Sequence, residues 1–255
     1  MDKYVFFIDI DETLITGGSY FPESNIAAIN IVRQNGHKVF INTGRSLAHI
    51  PGFVFEKAEF DGIIAGSGCY ISIGSNVLLR DFIRTEQIEK NCRFLLSVKR
   101  QCLLEGEDRV LYVNRTPNRP GVEEVKYAEE IREKYPDIKV EKVNLPGVLS
   151  PAEKMYFRSQ YKVIQHKTYA ECWLRGYEKG LALKKVMRFY KEYKSVAIGD
   201  SLNDFDMMEK ADISVAMGNG TEEIKRYCDF IADNASEGGL GDFMLTLTNL
   251  KGQNK

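Results

Sequence analysis

The sequence is poor in the groups that build metal-thiolate or disulfide proteins. It has five cysteines, three histidines and one tryptophan in 255 residues. The cysteines, Cys69, Cys92, Cys102, Cys172 and Cys228, are odd in number and form no CxxC pair. That pattern argues against a disulfide framework and against a structural zinc site. His37, His49 and His166 share no metal-like spacing, which favours surface or capping roles over catalysis. An excess of one charge is missing too. The net charge of -1 leaves no electrostatic case for nucleic acid or for an anionic membrane surface. No apolar run approaches the roughly 18 residues of a membrane span, and Tyr4 to Ile8 is too short for a secretory signal core. Repeats are absent, and the tail "KGQNK" is the sole low-complexity stretch. A soluble cytoplasmic protein is expected, long enough for one large domain or for a core domain carrying a smaller one.

What is present alternates between short apolar runs and amphipathic stretches. "YVFFID" (4–9), "KVFINTG" (38–44), "DGIIAGSG" (61–68), "SVAIGD" (195–200) and "CDFIAD" (228–233) read as strands buried on both faces, as in a parallel sheet covered by helices. Between them, "PESNIAAINIVRQNG" starts at Pro22 and stops at Gly36, with Ile26, Ile29 and Val32 on one face. "KGLALKKVMRFYKEY" places Leu183, Val186, Met187 and Tyr190 on one face and leaves Lys184, Lys185, Arg188 and Lys191 on a solvated face. The middle of the chain changes character. It is richer in charge, is punctuated by Pro117, Pro120, Pro146 and Pro151, and offers the strands "RVLYVN", "DIKVEKV" and "TYAECWLR". Helices are expected over "TEQIEKNCRFLLSVK" and around Val122 to Tyr135. The expected fold is α/β: a Rossmann-like doubly wound parallel sheet core, residues 1–82 and 176–255, with an inserted smaller α+β domain at 83–175.

The strand ends carry the chemistry, because ligands of open α/β sheets bind outside the carboxyl ends of the strands. Asp9 and Asp11 follow the first run, Thr43 the second and Asp200 a later one, with Asp204 one helical turn on. Positions i and i+2 of an extended chain share a side, so Asp9 and Asp11 are expected to face one site. Two unit charges about 4 Å apart cost roughly 4 kcal/mol at an effective dielectric near 20. Converging carboxylates must therefore protonate or bind a cation, and all-oxygen ligation next to phosphate favours Mg²⁺. "NTGRS" offers the Thr43 hydroxyl, Gly44 and backbone N–H groups at a helix start, which is a phosphate cradle. Lys179 stands just before a helix expected from Gly180, a place where a cation needs an anion nearby.

"DIDET", "NTGR", "KGLAL" and "GDSLNDFDMM", in that order, closely resemble the four motifs of haloacid dehalogenase-like phosphatases. The following "VAMGNGTEEIKRYCDFIADNASEGGL" is similar to the end of the Cof-type branch, which carries a type IIB cap domain. The resemblance covers most of residues 1–80 and 177–255. It implies that Asp9 is the nucleophile forming an aspartyl-phosphate and that Asp11 is the general acid and base. It also implies Mg²⁺ between Asp9, the backbone carbonyl of Asp11 and Asp200, with Asp204 supporting the metal or its waters. Thr43, Gly44, Lys179 and Asn203 would hold the phosphoryl group. Position 12 departs from the pattern, being Glu where Gly is commonest. The inserted unit is short for a full cap of this type.

The expected activity is Mg²⁺-dependent hydrolysis of a small phosphorylated metabolite, a sugar phosphate or phosphorylated cofactor, with no nucleic-acid or membrane partner. A phosphomutase resembling phosphomannomutases is the alternative; Arg109, Arg115, Arg119, Arg158 and Arg175 are basic residues of the inserted unit available for a second phosphate. A receiver-like phospho-accepting module fits less well, because the nucleophile lies on the first strand and about 90 residues are inserted.

Overall fold

The computed structural model describes residues 2–115 and 122–250. Pro117, Pro120, Arg119 and the tail "KGQNK" lie outside the described residues. Chain order begins with β1 Lys3–Ile8, α1 Glu23–Gln34, β2 Lys38–Asn42, α2 Gly52–Lys57, β3 Gly62–Ala65, β4 Tyr70–Ile73 and β5 Asn76–Arg80. It continues with α3 Thr85–Ser97, β6 Cys102–Gly106, β7 Val110–Val113, β8 Val122–Val125, α4 Glu130–Lys134, β9 Val140–Pro146 and α5 Pro151–Arg158. Then come β10 Lys162–Gln165, β11 Tyr169–Trp173, α6 Lys179–Met187 and β12 Tyr193–Gly199. The chain closes with α7 Phe205–Lys210, β13 Ile213–Ala216, α8 Glu222–Lys225, β14 Phe230–Ile231 and α9 Gly239–Leu247.

Two compact units result. The first comprises residues 1–44, 51–79 and 178–255, and the second comprises 45–50 and 80–177. The first is built on a sheet of order β14-β13-β12-β1-β2-β3-β4-β5, parallel from β14 through β3. β1 lies in the middle, and its residues from Tyr4 to Ile8 are buried on both faces, as a central parallel strand requires. The chain runs outward from β1 toward β3 and returns on the other side from β12 toward β14. The switch point of the doubly wound sheet therefore falls between β1 and β12. Phe7, Phe40, Leu183, Val186 and Met207 belong to its core.

β13 is not among the expected strands, because its four residues "ISVA" follow closely on the helical stretch "NDFDMMEKA" and are too short a run for periodicity to tell strand from helix. β4 and β5 extend the sheet beyond β3, and β4 runs antiparallel to it.

The second unit is a six-stranded sheet, order β10-β11-β9-β6-β7-β8, antiparallel except for the β7–β8 pair. Ile88, Leu95, Leu104, Leu111, Val143 and Phe157 belong to its core. Val122–Val125 is a strand in register with β7, not the start of a helix. The helix expected from Val122 to Tyr135 is only α4. The β-branched valines at both ends of "VEEV" suit a sheet edge beside β7, while Ala128 and Ile131 suffice to seat one short helix. On the opposite face, Trp173, Lys142 and Glu105 sit in one lateral row across β11, β9 and β6. Segment 45–50 packs with this unit, through His49 Nδ1 2.8 Å from Glu105 Oε2 and the Leu47 N–H donating to Glu141 Oε2 at 3.3 Å. Among the described residues no helix is long and apolar enough to cross a membrane.

Candidate active site

The site is assembled at the switch point. β1 pairs with β12 up to Ile8 opposite Ile198, and the Asp9 N–H continues the ladder to the Ile198 carbonyl at 3.0 Å. Beyond Asp9 the chain stops being extended. The N–H groups of Leu14 and Ile15 both donate to the Ile10 carbonyl at 3.0 Å, winding residues 10–15 into a turn. The alternation of an extended chain therefore does not carry on to Asp11, whose charge nonetheless acts on Asp9. Asp9 is buried, at 3% exposure, and Asp11 is exposed.

Lys179 is the first residue of α6, one position earlier than the expected helix start, and it is 2% exposed. Two side chains fix that helix end. Asn42 Nδ2 donates to the Lys179 carbonyl at 3.1 Å, and Asp206 Oδ2 accepts the Gly180 N–H at 2.7 Å. A Cβ on Gly180 would lie 2.1 Å from the Asp206 carbonyl oxygen, so only glycine permits this approach of α6 to α7. The Lys179 ammonium sits 2.6 Å from Asp9 Oδ1 and 2.6 Å from Asp204 Oδ1.

Asp204, fully buried, uses its second oxygen as well: Oδ2 accepts the N–H groups of Asp200 at 3.1 Å and Ser201 at 3.3 Å. Asp9, Asp200 and Asp204 each offer a carboxylate oxygen within 4.8 Å of the others. An all-oxygen set of this kind suits a hard divalent cation.

The electrostatics follow from burial. Loss of hydration pushes the Asp9 carboxyl up to about 7, against the pull of Lys179 and with repulsion from Asp204 and Asp11. Burial, then the charge of Asp9, pushes Asp200 up to about 6. Burial also raises Asp204, opposed by Lys179. Burial alone would lower the Lys179 ammonium, but Asp204 and Asp9 outweigh it and hold the group protonated.

Thr43, 1% exposed, follows β2 directly. Its N–H donates to the Ile64 carbonyl at 2.9 Å, and its own carbonyl accepts the Ser67 N–H at 3.0 Å. β2 lies beside β1 with Ile41 opposite Ile8, so Thr43 and the half-buried Gly44 stand at the same sheet end as Asp9. Asn203 is exposed, in the turn Leu202–Asp204, with its Oδ1 accepting from Ser201 Oγ at 2.7 Å. Asn42 and Asp206 support the site without any signal in the sequence. Asn42 lies inside the strand run and Asp206 two residues past Asp204, so neither differs from an ordinary strand-end or helix-start residue.

Comparison with known proteins shows the family to which the chain belongs. The family model of haloacid dehalogenase-like hydrolases matches residues 6–244. Two Bacillus subtilis (strain 168) proteins named 5-amino-6-(5-phospho-D-ribitylamino)uracil phosphatase are similar over nearly their whole lengths. YitU is 22% identical, covering 94% of this chain and 96% of its own; YcsE is 25% identical, covering 94% of each. Among solved structures, the subclass IIB sugar phosphatase BT4131 superposes with a TM-score of 0.77 at 23% identity, covering 96% of this chain and 99% of its own. With the family matched from Phe6 to Met244 and its four motifs gathered at one end of a doubly wound sheet, the chain belongs to the haloacid dehalogenase-like hydrolases.

Proposed function

We propose that this hydrolase is a Mg²⁺-dependent phosphatase acting on a small phosphorylated metabolite through an aspartyl-phosphate on Asp9. The observation that carries the reading is the buried junction of Asp9, Lys179 and Asp204 beside Asp200. Asp9, Asp200 and the main-chain carbonyl of Asp11 would hold the metal, with Asp204 behind them. A bound Mg²⁺ supplies the positive charge that lets a carboxylate approach an anionic ester.

The chain's own residues do the rest. Lys179, the Thr43 hydroxyl, Gly44 and the Asn203 amide hold the phosphoryl oxygens. An Asp9 carboxylate oxygen attacks phosphorus and the ester P–O bond breaks, while Asp11 gives its proton to the leaving alkoxide. Water then attacks phosphorus, Asp11 takes its proton, and the bond between phosphorus and Asp9 breaks to restore the carboxylate. The exposure of Asp11 suits a group that exchanges protons with both alcohol and water. Lys179, already bonded to Asp9, favours the ionised nucleophile against the effect of burial.

A sugar or polyol phosphate is the favoured substrate class, in line with the names of YitU, YcsE and BT4131. The test is a panel of phosphorylated metabolites assayed for phosphate release with Mg²⁺ and with EDTA. Metal-dependent release from sugar or polyol phosphates is expected. Isomerised product that requires a sugar bisphosphate would point to a mutase, and no release from any substrate would reject the reading.

A further inference from the structure

Glu12 follows directly on Asp11 and adopts φ +54°, a left-handed conformation that side chains with a Cβ rarely hold without support. Glycine, usual here in the family pattern, would adopt it freely. Two hydrogen bonds supply support to Glu12. Its own Oε1 accepts the Gly17 N–H at 2.9 Å, but Gly17 is itself exposed, and a Cβ built there would meet nothing within 4 Å. Its main-chain carbonyl accepts Asn219 Nδ2 at 2.8 Å.

Asn219 is better anchored. Its Oδ1 accepts the Ala235 N–H at 2.8 Å, and it sits in a tight turn closed by the Gly220 N–H on the Met217 carbonyl at 2.8 Å. The same turn is bonded to the second acid-bearing loop. The Thr221 N–H donates to the Asp200 carbonyl at 3.0 Å, and a Cβ on Gly220 would lie 2.8 Å from that oxygen. One turn, residues 217–221, thus grips the backbone of the Asp9–Glu12 loop through a side chain and that of Asp200 through its main chain.

We propose that Asn219 is a positioning residue: its amide holds Glu12 left-handed and so fixes the Asp11–Glu12 peptide next to the metal-holding acids. Any change of φ at residue 12 turns that peptide, whose carbonyl belongs to Asp11. A chain with glycine at this position needs no such hold, so the dependence on Asn219 is created by Glu12. The inference rests on the phosphatase reading above.

The test is a double-mutant cycle read by calorimetric titration of the full chain with MgCl₂, with thermal melting to confirm folding. Asn219→Ala is compared with the unmutated chain, and Glu12→Gly/Asn219→Ala with Glu12→Gly. Loss of one hydrogen bond worth about 1 kcal/mol corresponds to roughly a fivefold weakening of Mg²⁺ binding in the unmutated background. Less than about a twofold change is expected in the Glu12→Gly background, where the left-handed conformation is free. Equal effects in the two backgrounds, including none in either, overturn the proposal. If Asn219→Ala does not fold, Asn219→Asp serves in the same cycle. It keeps the acceptor for Ala235 and cannot donate to Glu12, and its added charge is common to both arms. Absence of Mg²⁺ binding by the unmutated chain would instead overturn the phosphatase reading, and this inference with it.

Discussion

The ammonium of Lys179 lies 2.6 Å from Oδ1 of Asp9, and both side chains are almost fully buried. The same ammonium bonds Asp204 at 2.6 Å, so one lysine offsets two buried carboxylates. Removing one partner of a buried pair costs about 3–5 kcal/mol because the other charge is left uncompensated. Lys179→Met is therefore expected to lose phosphate release and to lower the melting temperature. A divalent cation partly replaces the missing charge, so the drop should be larger in EDTA than in millimolar Mg²⁺. Equal melting in the two buffers would contradict this reading of the cluster.

Glu141, on β9, shows a linkage with pH. Burial raises its carboxyl from 4.5 to about 7, opposed by the Leu47 N–H and assisted by Glu107 and Glu105. The folded state thus holds a proton that the unfolded chain releases. The stabilisation is fully present below pH 4.5 and is lost as pH rises through 7, amounting to at most about 3 kcal/mol. Glu141→Gln keeps the acceptor for Leu47 and removes the titration. Its melting temperature relative to the unmutated chain should rise by roughly 5–10 °C between about pH 5 and pH 8. A constant difference across that range would show that the carboxyl is not held neutral.

Lys142 joins Glu105 at 3.1 Å and Glu171 at 3.0 Å, and its ammonium lies 4.7 Å from the centre of the Trp173 ring. Burial would raise the Glu105 carboxyl, but Lys142 and His49 outweigh it and hold Glu105 ionised. Lys142→Met is expected to cost about 3–5 kcal/mol in urea unfolding, because it strands that charge. Adding Glu105→Gln should recover a substantial part. A single-mutant cost below about 1 kcal/mol would mean that solvent reaches the row.

Much of this is legible in the sequence, for identifiable reasons. β1, β2 and the helix starting at Glu23 announce themselves by continuous burial or by 3.6-residue spacing, and Gly36 takes the expected stop with φ +85°. Asp9, Asp200, Asp204 and Lys179 stand out because each abuts a readable strand or helix end. The relation between Asp9 and Asp11 is not legible, since extended alternation ends at Ile8 and the turn that follows depends on hydrogen bonds to Ile10. Glu12 and Asn219 are 207 positions apart, and no periodicity signals their bond. The packing of residues 45–50 with the second unit is equally hidden, because it depends on Glu105 and Glu141, far along the chain.

The most direct test of the account is the phosphoryl-enzyme itself. A substrate labelled in its phosphoryl group is mixed with the enzyme and Mg²⁺, quenched within one turnover, and the protein is analysed for bound label. The account predicts hydroxylamine-sensitive label on Asp9, absent from an Asp9→Asn variant that is folded but releases no phosphate. Label on any other residue, or Asp9→Asn turning over like the unmutated enzyme, would contradict it.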